Sequence, residues 1–383
     1  MAMNRLIFSA LLSNLFVLSF VISGVIVNFV QAFLFFTLRF ISKYLYRKVN
    51  YYLAYSLHSQ LVFLAEWWSG TDIIFYINED DYKKYYGKEH GFLLMNHRYD
   101  VDWLIGWIFC ERIKLLGNVK AYAKKQLKYI PTLGWAWLFG EFVFLERNWE
   151  KDRLAIGEQI AELVEYPDPI WLLLFAEGTR FTTEKHEASK AFAREHGLYE
   201  LKQHLTPRTR GFTASLPVMR GKIPSIYDVQ VAFKEEDKLK PTIGTMLSGK
   251  PLEAHMFVER IPLENVPASE EDKLKGLKND KMMDSFLKTG DWFKESGVTR
   301  VKSFRVKRRY FTLLNTMFWC ISINCPLVYL IFSVSKSLLS SLTLTSFLLC
   351  ASIWILVYLI FHQISSKLID ATRSSKGSSY GKR

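Results

Sequence analysis

The chain has 383 residues, of which 50% are hydrophobic and 15% aromatic, a high share for a water-soluble protein. Its 50 lysines and arginines outnumber its 37 acidic residues, and the formal charge is +13. This balance favours anionic partners such as nucleic acid, phospholipid headgroups or phosphorylated small molecules. The 4 cysteines have no paired C-x-x-C spacing, so neither a disulfide framework nor a zinc site is indicated.

Three stretches without a charged residue are long enough to cross a bilayer, which requires about 20 mainly apolar residues. They are residues 6–38, 310–335 and 337–361. The first is much longer than the apolar region of a cleavable signal peptide, about 7–15 residues, so it is interpreted as an anchor. Its length allows one crossing or a short hairpin broken near Gly24 and Asn28. The sequence thus predicts a membrane protein, and the charge beside these stretches disfavours nucleic-acid binding.

Basic residues next to the three stretches predict their orientation. They are Arg39, Lys43, Arg47 and Lys48 after the first, Lys302, Arg305, Lys307, Arg308 and Arg309 before the second, and Lys367, Arg373, Lys376, Lys382 and Arg383 after the third. By the positive-inside rule, residues 39–309 and the C-terminal tail face the cytosol. Four regions are expected: an N-terminal anchor with its basic flank (1–48), a cytosol-facing domain (49–309), two C-terminal transmembrane helices (310–361) and a flexible basic tail (362–383).

Within the cytosol-facing domain, strand-like and helix-like segments alternate, which predicts an α/β fold whose mostly buried sheet is flanked by helices. The predicted strands are residues 71–77, 92–96, 141–147, 170–177, 214–219, 225–233, 241–248 and 255–260. The predicted helices are an amphipathic one at 51–68, then 101–113, 149–165, 184–196 and a highly charged segment at 264–296.

The stretch LLMNHRYDVDWLIG (93–106) places ionisable groups where a predicted strand ends and a helix begins. Binding residues of α/β proteins cluster at the carboxyl ends of strands. A turn between His97 and Asp102 can bring the carboxylate to the imidazole, fix its tautomer and leave the other ring nitrogen as a base. The alternative is that Asp100 or Asp102 caps the helix and His97 is an ordinary core residue.

A second strand end, in FAEGTRF (175–181), carries groups suited to a phosphate. Glycine lets a ligand approach the backbone closely, threonine offers a hydroxyl, and arginine can bind a phosphate through two hydrogen bonds. The residues are Glu177, Gly178, Thr179 and Arg180. We expect the glutamate to orient the arginine or a neighbouring donor. The alternatives are a simple turn and a structural ion pair.

Other basic residues add to this pattern. Arg147 closes the predicted strand 141–147, although alone it could be a snorkelling surface arginine. Candidate contacts to an anionic ligand or lipid are Lys124, Lys125, Lys128, Arg208 and Arg210. Neither a G-x-S-x-G motif nor a nearby cysteine accompanies His97, so direct transfer to a hydroxyl is favoured over a covalent enzyme intermediate.

These residues resemble the sequence blocks of the glycerolipid acyltransferases. The blocks are N-H-x-x-x-x-D at Asn96 to Asp102, G-x-x-F-x-x-x-R at Gly140 to Arg147, F-x-E-G-T-R at Phe175 to Arg180, and LPV at 216–218. EWWSGT, AKKQLKYIPTLGW, EGTRFTTEKHE, PRTRGF, SIYDV and KGSSYG are similar to the animal 1-acylglycerol-3-phosphate acyltransferases of the gamma/delta type. The likeness covers nearly the whole chain and implies the α/β core of that family.

The resemblance implies acyl transfer from acyl-CoA to the sn-2 hydroxyl of lysophosphatidate, giving phosphatidate and coenzyme A. His97 would act as the general base and Asp102 would orient it, while Asp100, outside the family spacing, is expected to cap the helix. The acceptor phosphate would be held by Arg147, Glu177, Gly178, Thr179 and Arg180, with Arg180 as the main grip. Candidate acyl-CoA or lipid contacts are Lys124, Lys125, Arg208, Arg210 and Pro217.

The resemblance also implies the setting of the reaction. Acyl-CoA, lysophosphatidate and the bilayer are the expected partners, with acyl-CoA as a substrate, and no cofactor or metal is expected. The endoplasmic reticulum membrane is the expected location, with a share in the Golgi. Alternatives are transfer to lysophosphatidylinositol or lysocardiolipin, a metal-dependent phosphoesterase with His97, Asp100 and Asp102 as ligands, and a non-catalytic lipid-binding protein.

Overall fold

The computed structural model describes residues 2–233, 239–266, 303–340, 343–352, 354–356, 359 and 363. The helices are α1 (Ala2–Phe36), α2 (Leu38–Ile41), α3 (Lys43–Phe63), α4 (Glu79–Tyr85), α5 (Asp102–Arg112), α6 (Leu133–Phe139), α7 (Trp149–Leu163), α8 (Thr183–Glu195), α9 (Arg210–Met219), α10 (Ile243–Leu247) and α11 (Phe311–Leu339). The strands are β1 (Asp72–Tyr76), β2 (Gly91–Met95), β3 (Val119–Lys124), β4 (Val143–Leu145), β5 (Trp171–Phe175), β6 (Ser225–Phe233), β7 (Glu253–Pro262) and β8 (Ser303–Phe304).

The strands form one sheet in the order β4-β3-β5-β2-β6-β7-β1-β8, and the predicted α/β fold is confirmed. Strands β4, β3, β5, β2 and β6 are parallel neighbours, whereas β7 runs antiparallel to β6. The carboxyl ends of these five parallel strands therefore lie along one edge of the sheet. This is the edge where an α/β fold of this kind places its binding residues.

Strand β2 lies at the centre of the sheet, and all its residues are buried. Phe92 and Leu94 face one hydrophobic core together with residues of α7 and α9. Leu93 and Met95 face the other core, which contains residues of α3 and α5. Burial on both faces explains why the strand appears in the sequence as a continuous apolar run.

Helix α1 is continuous through the first uncharged stretch, so this stretch forms no hairpin. Hydrogen bonds between buried amides connect it to the rest of the protein. Asn28 accepts from the backbone N–H of Thr132 (2.9 Å) and donates to Gln31 (3.1 Å), which in turn donates to Asn50 of α3 (2.8 Å). Because hydrogen-bonded amides specify one arrangement of helices, α1 is a packed part of the fold as well as an apolar helix.

Two helical segments are long and apolar enough to cross a membrane, Leu12–Ile41 and Phe311–Leu339. The third predicted span, 337–361, overlaps a shorter apolar helix at Leu344–Leu356 and lies partly outside the described residues, so it stays a prediction. The same holds for nearly all of the charged segment 264–296 and of the tail 362–383.

The segment before α11 is held to the sheet by ion pairs. Arg305 donates to Asp72 and to Glu253, both at 2.6 Å, and Arg309 pairs with Glu111 at 3.2 Å. These arginines belong to the basic flank from which the orientation of the second stretch was predicted. At least part of that flank therefore contacts protein carboxylates.

Two predicted strands are wrong. Residues 214–219 belong to helix α9, whose buried Phe212, Leu216 and Met219 follow a helical spacing that the short apolar run did not reveal. Residues 241–248 contain helix α10, where the hydroxyl of Thr242 accepts from the backbone N–H of Thr245 (3.1 Å) and so caps the helix.

Other differences concern the edge of the sheet. Strand β3 was missed because its sequence, VKAYAK, mixes small and charged residues and lacks an apolar run. Strand β4 covers only Val143–Leu145, where a strand at 141–147 was predicted.

The amphipathic helix at 51–68 also differs in its bounds. It begins earlier, at Lys43, and ends in a π-helical turn at Leu64–Trp68.

Buried Arg47 joins α3 to the segment that precedes β4. It donates to the carboxylate of Glu141 (2.8 Å) and to the carbonyls of Glu162 (2.9 Å) and Glu165 (3.1 Å). The guanidinium also lies 4.2 Å from the ring centre of Tyr166. One buried cation thus connects α3 with the segment before β4 and with the end of α7.

We expect Arg47→Met to destabilise the protein by about 3 kcal/mol, because the mostly buried carboxylate of Glu141 would lose its main partner. Lys48→Met is the matched control, since the ion pair between Lys48 and Asp168 is exposed. Thermal unfolding of the detergent-solubilised protein measures both. Equal effects of the two substitutions would contradict the role assigned to Arg47.

Candidate active site

The two loops that carry the predicted site leave the sheet side by side. In the parallel pairing of β2 with β5, Met95 is opposite Phe175, so His97 and Glu177 follow at equivalent positions. The backbone N–H of His97 donates to the carboxylate of Glu177 (2.8 Å), and the backbone N–H of Phe181 donates to the carbonyl of His97 (2.8 Å). These hydrogen bonds fix the histidine turn, defined here as residues 97–101, to the EGTR loop, defined as residues 177–180.

His97 and Asp102 form the hydrogen-bonded pair that their spacing predicts. Nδ1 of His97 lies 3.1 Å from Oδ2 of Asp102, and that oxygen also accepts from the backbone N–H groups of Arg98 and Tyr99, both at 2.7 Å. Because an ionised carboxylate only accepts hydrogen bonds, Nδ1 carries the hydrogen and Nε2 keeps its lone pair. The arrangement supplies a base at Nε2.

Burial sets the environment of this pair. Asp102 is 0% exposed, and burial raises the pKa of its carboxyl, opposed by the hydrogen bonds from His97 and the backbone. The side chain of His97 remains 19% exposed, and its ring stacks on Phe175 with 4.0 Å between ring centres. One edge of the imidazole is therefore held by protein while part of the ring stays accessible.

The prediction that Asp100 caps α5 is wrong. The helix begins after Val101, which provides no side-chain cap, and the carboxylate of Asp100 forms an ion pair with Arg180 of the EGTR loop. The reason is tertiary, because the Arg180 guanidinium, from a loop distant in the sequence, takes the carboxylate as its partner. The predicted main phosphate grip is therefore held by an acidic residue of the histidine turn.

Glu177 lies beneath its loop and is only 2% exposed. One carboxylate oxygen accepts from the backbone N–H of His97, and the other accepts from the backbone N–H of Leu205 at 3.0 Å. The donor that Glu177 orients is thus the backbone of the histidine turn. Its predicted contact with a phosphate stays a prediction.

Lys185 of α8 also belongs to this neighbourhood, and sequence analysis missed it. Its ammonium donates to the hydroxyl of Thr179 (2.8 Å) and to the carbonyl of Arg180 (3.1 Å). A signal was present, because a helix that starts at Thr183 directly after the loop directs its first turn back towards it. The apolar periodicity used to identify the helix gave this lysine no weight.

Arg208 lies against the same loop. Its backbone N–H donates to the carbonyl of Ala176 (2.8 Å), and a Cβ added to Gly178 would meet its Cδ at 2.8 Å. The pKa of Lys185 is lowered by burial and further by the charges of Arg180 and Arg208. Arg208, predicted as a lipid or acyl-CoA contact, is therefore a neighbour of the EGTR loop.

The other predicted residues lie farther along the sheet. Arg147 follows β4, which β3 and β5 separate from β2, a spacing of about 14 Å at about 4.8 Å per strand. Arg147 lies close enough to Lys124 to help lower the pKa of that lysine, after burial. Lys125 pairs with Glu146.

The last two candidate contacts belong to α9 and its neighbours. Arg210, at the start of α9, lies 5.6 Å from the ring centre of Trp149. Pro217 is exposed near the end of α9, from where the chain goes on to the first residue of β6. Since β6 starts at the opposite edge of the sheet, Pro217 is not brought to His97.

In the part of the chain that the structure describes, no three His, Cys, Asp or Glu side chains are grouped as a metal site requires.

Comparison with known proteins adds to this geometry. The acyltransferase family model matches residues 74–215, and the acyltransferase C-terminus model matches residues 245–319. Human 1-acyl-sn-glycerol-3-phosphate acyltransferase gamma is 40% identical over 366 residues, which cover 94% of this chain and 93% of the relative. The delta protein of Bos taurus is 38% identical over 370 residues, covering 94% and 92%.

Among solved structures, the 1-acyl-sn-glycerophosphate acyltransferase PlsC from Thermotoga maritima is similar, with 17% identity and a TM-score of 0.45. The similar region covers 77% of this chain and 98% of that protein. A likeness at this level supports no statement about individual residues.

We expect Gly178→Ala to abolish most of the turnover, because its Cβ would displace Arg208 and alanine is strained at a φ of +66°. Gly197→Ala is the matched control: Gly197 has a φ of +62° but no neighbour within 4 Å of an added Cβ. Both variants should lose about 1–2 kcal/mol of stability from backbone strain, measured by thermal unfolding. Equal turnover of the two variants would contradict the contact between Gly178 and Arg208.

Proposed function

The chain belongs to the 1-acyl-sn-glycerol-3-phosphate acyltransferase family, and from this premise we propose that it transfers the acyl group of acyl-CoA to the sn-2 hydroxyl of lysophosphatidate. The products are phosphatidate and coenzyme A. The observation that carries the proposal is the position of the His97–Asp102 pair beside the EGTR loop. In lysophosphatidate the reacting hydroxyl and the phosphate ester are on neighbouring carbons, which matches two neighbouring loops.

In the proposed step, Nε2 of His97 removes the proton of the sn-2 hydroxyl while its oxygen attacks the thioester carbonyl carbon. The new C–O ester bond forms and the C–S bond breaks. The proton then passes from the imidazolium to the departing sulfur of coenzyme A. Asp102 stabilises the imidazolium through Nδ1, and general-base catalysis of this kind typically contributes about 10²–10⁴-fold.

The rest of the rate enhancement is assigned to positioning. Arg180 is proposed as the main grip on the phosphate, with Thr179 and the loop backbone at Gly178 beside it. Arg147 is a further proposed contact to the phosphate, although it would have to reach the acceptor from the end of β4, three strand spacings away from β2. A phosphate fixed beside the histidine turn restricts the sn-2 hydroxyl to a small volume near Nε2.

Lipid substrates require access from a bilayer, and α1 and α11 provide two segments long and apolar enough to lie in one. The proposed arrangement keeps residues 49–309 as the acyltransferase domain on the cytosolic side. The endoplasmic reticulum, with a share in the Golgi, is proposed as its location on the basis of family resemblance.

The test compares wild type, His97→Ala and His196→Ala in membranes supplied with labelled oleoyl-CoA. Lysophosphatidate, lysophosphatidylinositol and lysocardiolipin serve as acceptors, with and without chelator. His196 is the matched control because it lies exposed at the end of α8. We expect label in phosphatidate with wild type and His196→Ala, and at least a 100-fold lower rate with His97→Ala.

Each other outcome has a definite meaning. Label entering a headgroup-bearing product in preference to phosphatidate would keep the mechanism and change the acceptor. Loss of activity with chelator would favour a metal-dependent reaction. Turnover by His97→Ala equal to wild type would contradict the general-base assignment.

A further inference from the structure

Positive charge is concentrated around the EGTR loop beyond the arginine of the sequence motif. The charges of Arg180 and Arg208 both act on Lys185, whose pKa they lower in addition to burial. All three are partly buried, so solvent screens their mutual repulsion less than at an open surface. A cationic cluster of this kind is stabilised when an anion binds to it.

The ammonium group of Lys185 has more hydrogen-bond donors than it has acceptors in the contacts described. An ammonium group has three N–H donors, and two of them are directed to Thr179 Oγ1 and the carbonyl of Arg180. Both acceptors are neutral, and no carboxylate among the described residues lies within 4.0 Å of the ammonium, although Glu184 is near enough to raise its pKa slightly. The charge and the third donor are available to a ligand at the loop.

The same lysine determines which way the hydroxyl of Thr179 is directed. Because Oγ1 accepts from the ammonium of Lys185 at 2.8 Å, its own hydrogen points away from that donor. The hydrogen of this hydroxyl is therefore not used in the contact with Lys185 and can be donated to another acceptor. A phosphate oxygen, which accepts hydrogen bonds, fits this orientation.

Asp100 supplies a carboxylate that pairs with this cluster. It forms an ion pair with Arg180, and both side chains are partly accessible, at 21% and 13%. Asp100 lies in the histidine turn, three positions after His97. An anion that binds Arg180 must therefore compete with Asp100 of the histidine turn.

We propose that Lys185 and Arg208 complete the site that Arg180 begins for the phosphate monoester of the acceptor, and that Asp100 is the internal carboxylate which this phosphate displaces. The inference rests on the proposed function, because it identifies the substrate group with a phosphate monoester. Such a group carries about −1.5 to −2 charges at neutral pH and so can replace a single carboxylate at a cluster of cations. Phosphate binding thereby frees Asp100 from Arg180 beside the catalytic histidine.

The first test substitutes Lys185, which the family motif does not contain. Lys185→Met removes the charge and keeps the length, and we expect the KM for lysophosphatidate to rise about tenfold, with kcat within about twofold. Lys185→Arg should restore most of the affinity, because it restores the charge. Lys190→Met is the matched control on the same helix, since Lys190 pairs with Glu187, and it should leave KM unchanged.

Asp100→Asn tests the displacement. The amide has the same shape but no charge, so the competitor is weakened, and we expect the KM for lysophosphatidate and the inhibition constant of inorganic phosphate both to fall about threefold. A carboxylate that merely positions Arg180 for the substrate would give the opposite result, a rise in both constants. That rise would overturn the assignment of Asp100.

A binding measurement separates this inference from the proposed function. Glycerol 3-phosphate should raise the unfolding temperature of the purified full chain, less in Lys185→Met than in wild type and more in Asp100→Asn. Normal acyl transfer to lysophosphatidate with no change in KM or thermal shift for Lys185→Met would overturn the inference and leave the function standing. No acyl transfer, but the expected thermal shifts, would overturn the function and leave an anion site.

Discussion

The parallel pairing of β2 with β5 is the constraint on which the rest of the site depends. It places Met95 opposite Phe175, so the histidine turn and the EGTR loop must leave the sheet as neighbours. The carboxylate of Glu177 then accepts from the backbone of His97, and the backbone of Phe181 returns a hydrogen bond. A shift of one residue in this register would turn one loop towards the opposite face of the sheet.

The excess positive charge of the chain is divided between two tasks. Several arginines form ion pairs with protein carboxylates, among them Arg112 with Glu66, whose side chains are both fully buried, and the half-exposed Arg305 with Asp72. The first pair connects α5 with the turn that follows α3, and the second connects the segment before α11 with β1. The cations at the carboxyl ends of the strands, by contrast, exceed the carboxylates around them, which suits an anionic substrate.

Apolar and polar contacts also make α1 part of the same folded unit. Phe16, Val17 and Phe20 belong to the hydrophobic core that contains residues of α3 and α5. The side chain of Asn28 accepts a hydrogen bond from the backbone N–H of Thr132, a residue that adopts a φ of 70° at the start of α6. Helix α1 therefore shapes the segment that leads to β4 and packs as part of the α/β domain.

Sequence reasoning was most successful where one physical signal dominated. The apolar runs at β2 and β5 gave the strands, and a histidine and an aspartate at a strand end gave the pair at His97 and Asp102. It failed where tertiary contacts decide the outcome. Asp100 was expected to cap a helix because its pairing with Arg180 depends on a loop that lies 80 residues away in the chain.

Local pattern also misled where a segment is short. VKAYAK forms an edge-side strand because β5 pairs with it, although its composition gives no such signal. The run around Pro217 was interpreted as a strand, whereas the proline lies inside helix α9 near its end. Lys185 was overlooked because its importance comes from the loop it contacts and not from its place in a motif.

The most direct test of the account is a structure of the wild-type full chain in lipid nanodiscs with lysophosphatidate bound and no acyl donor present. We predict that the phosphate contacts Arg180 and Lys185, and that the sn-2 oxygen lies about 3 Å from Nε2 of His97, within reach for proton transfer. A phosphate held elsewhere, or an sn-2 hydroxyl directed away from His97, would contradict it.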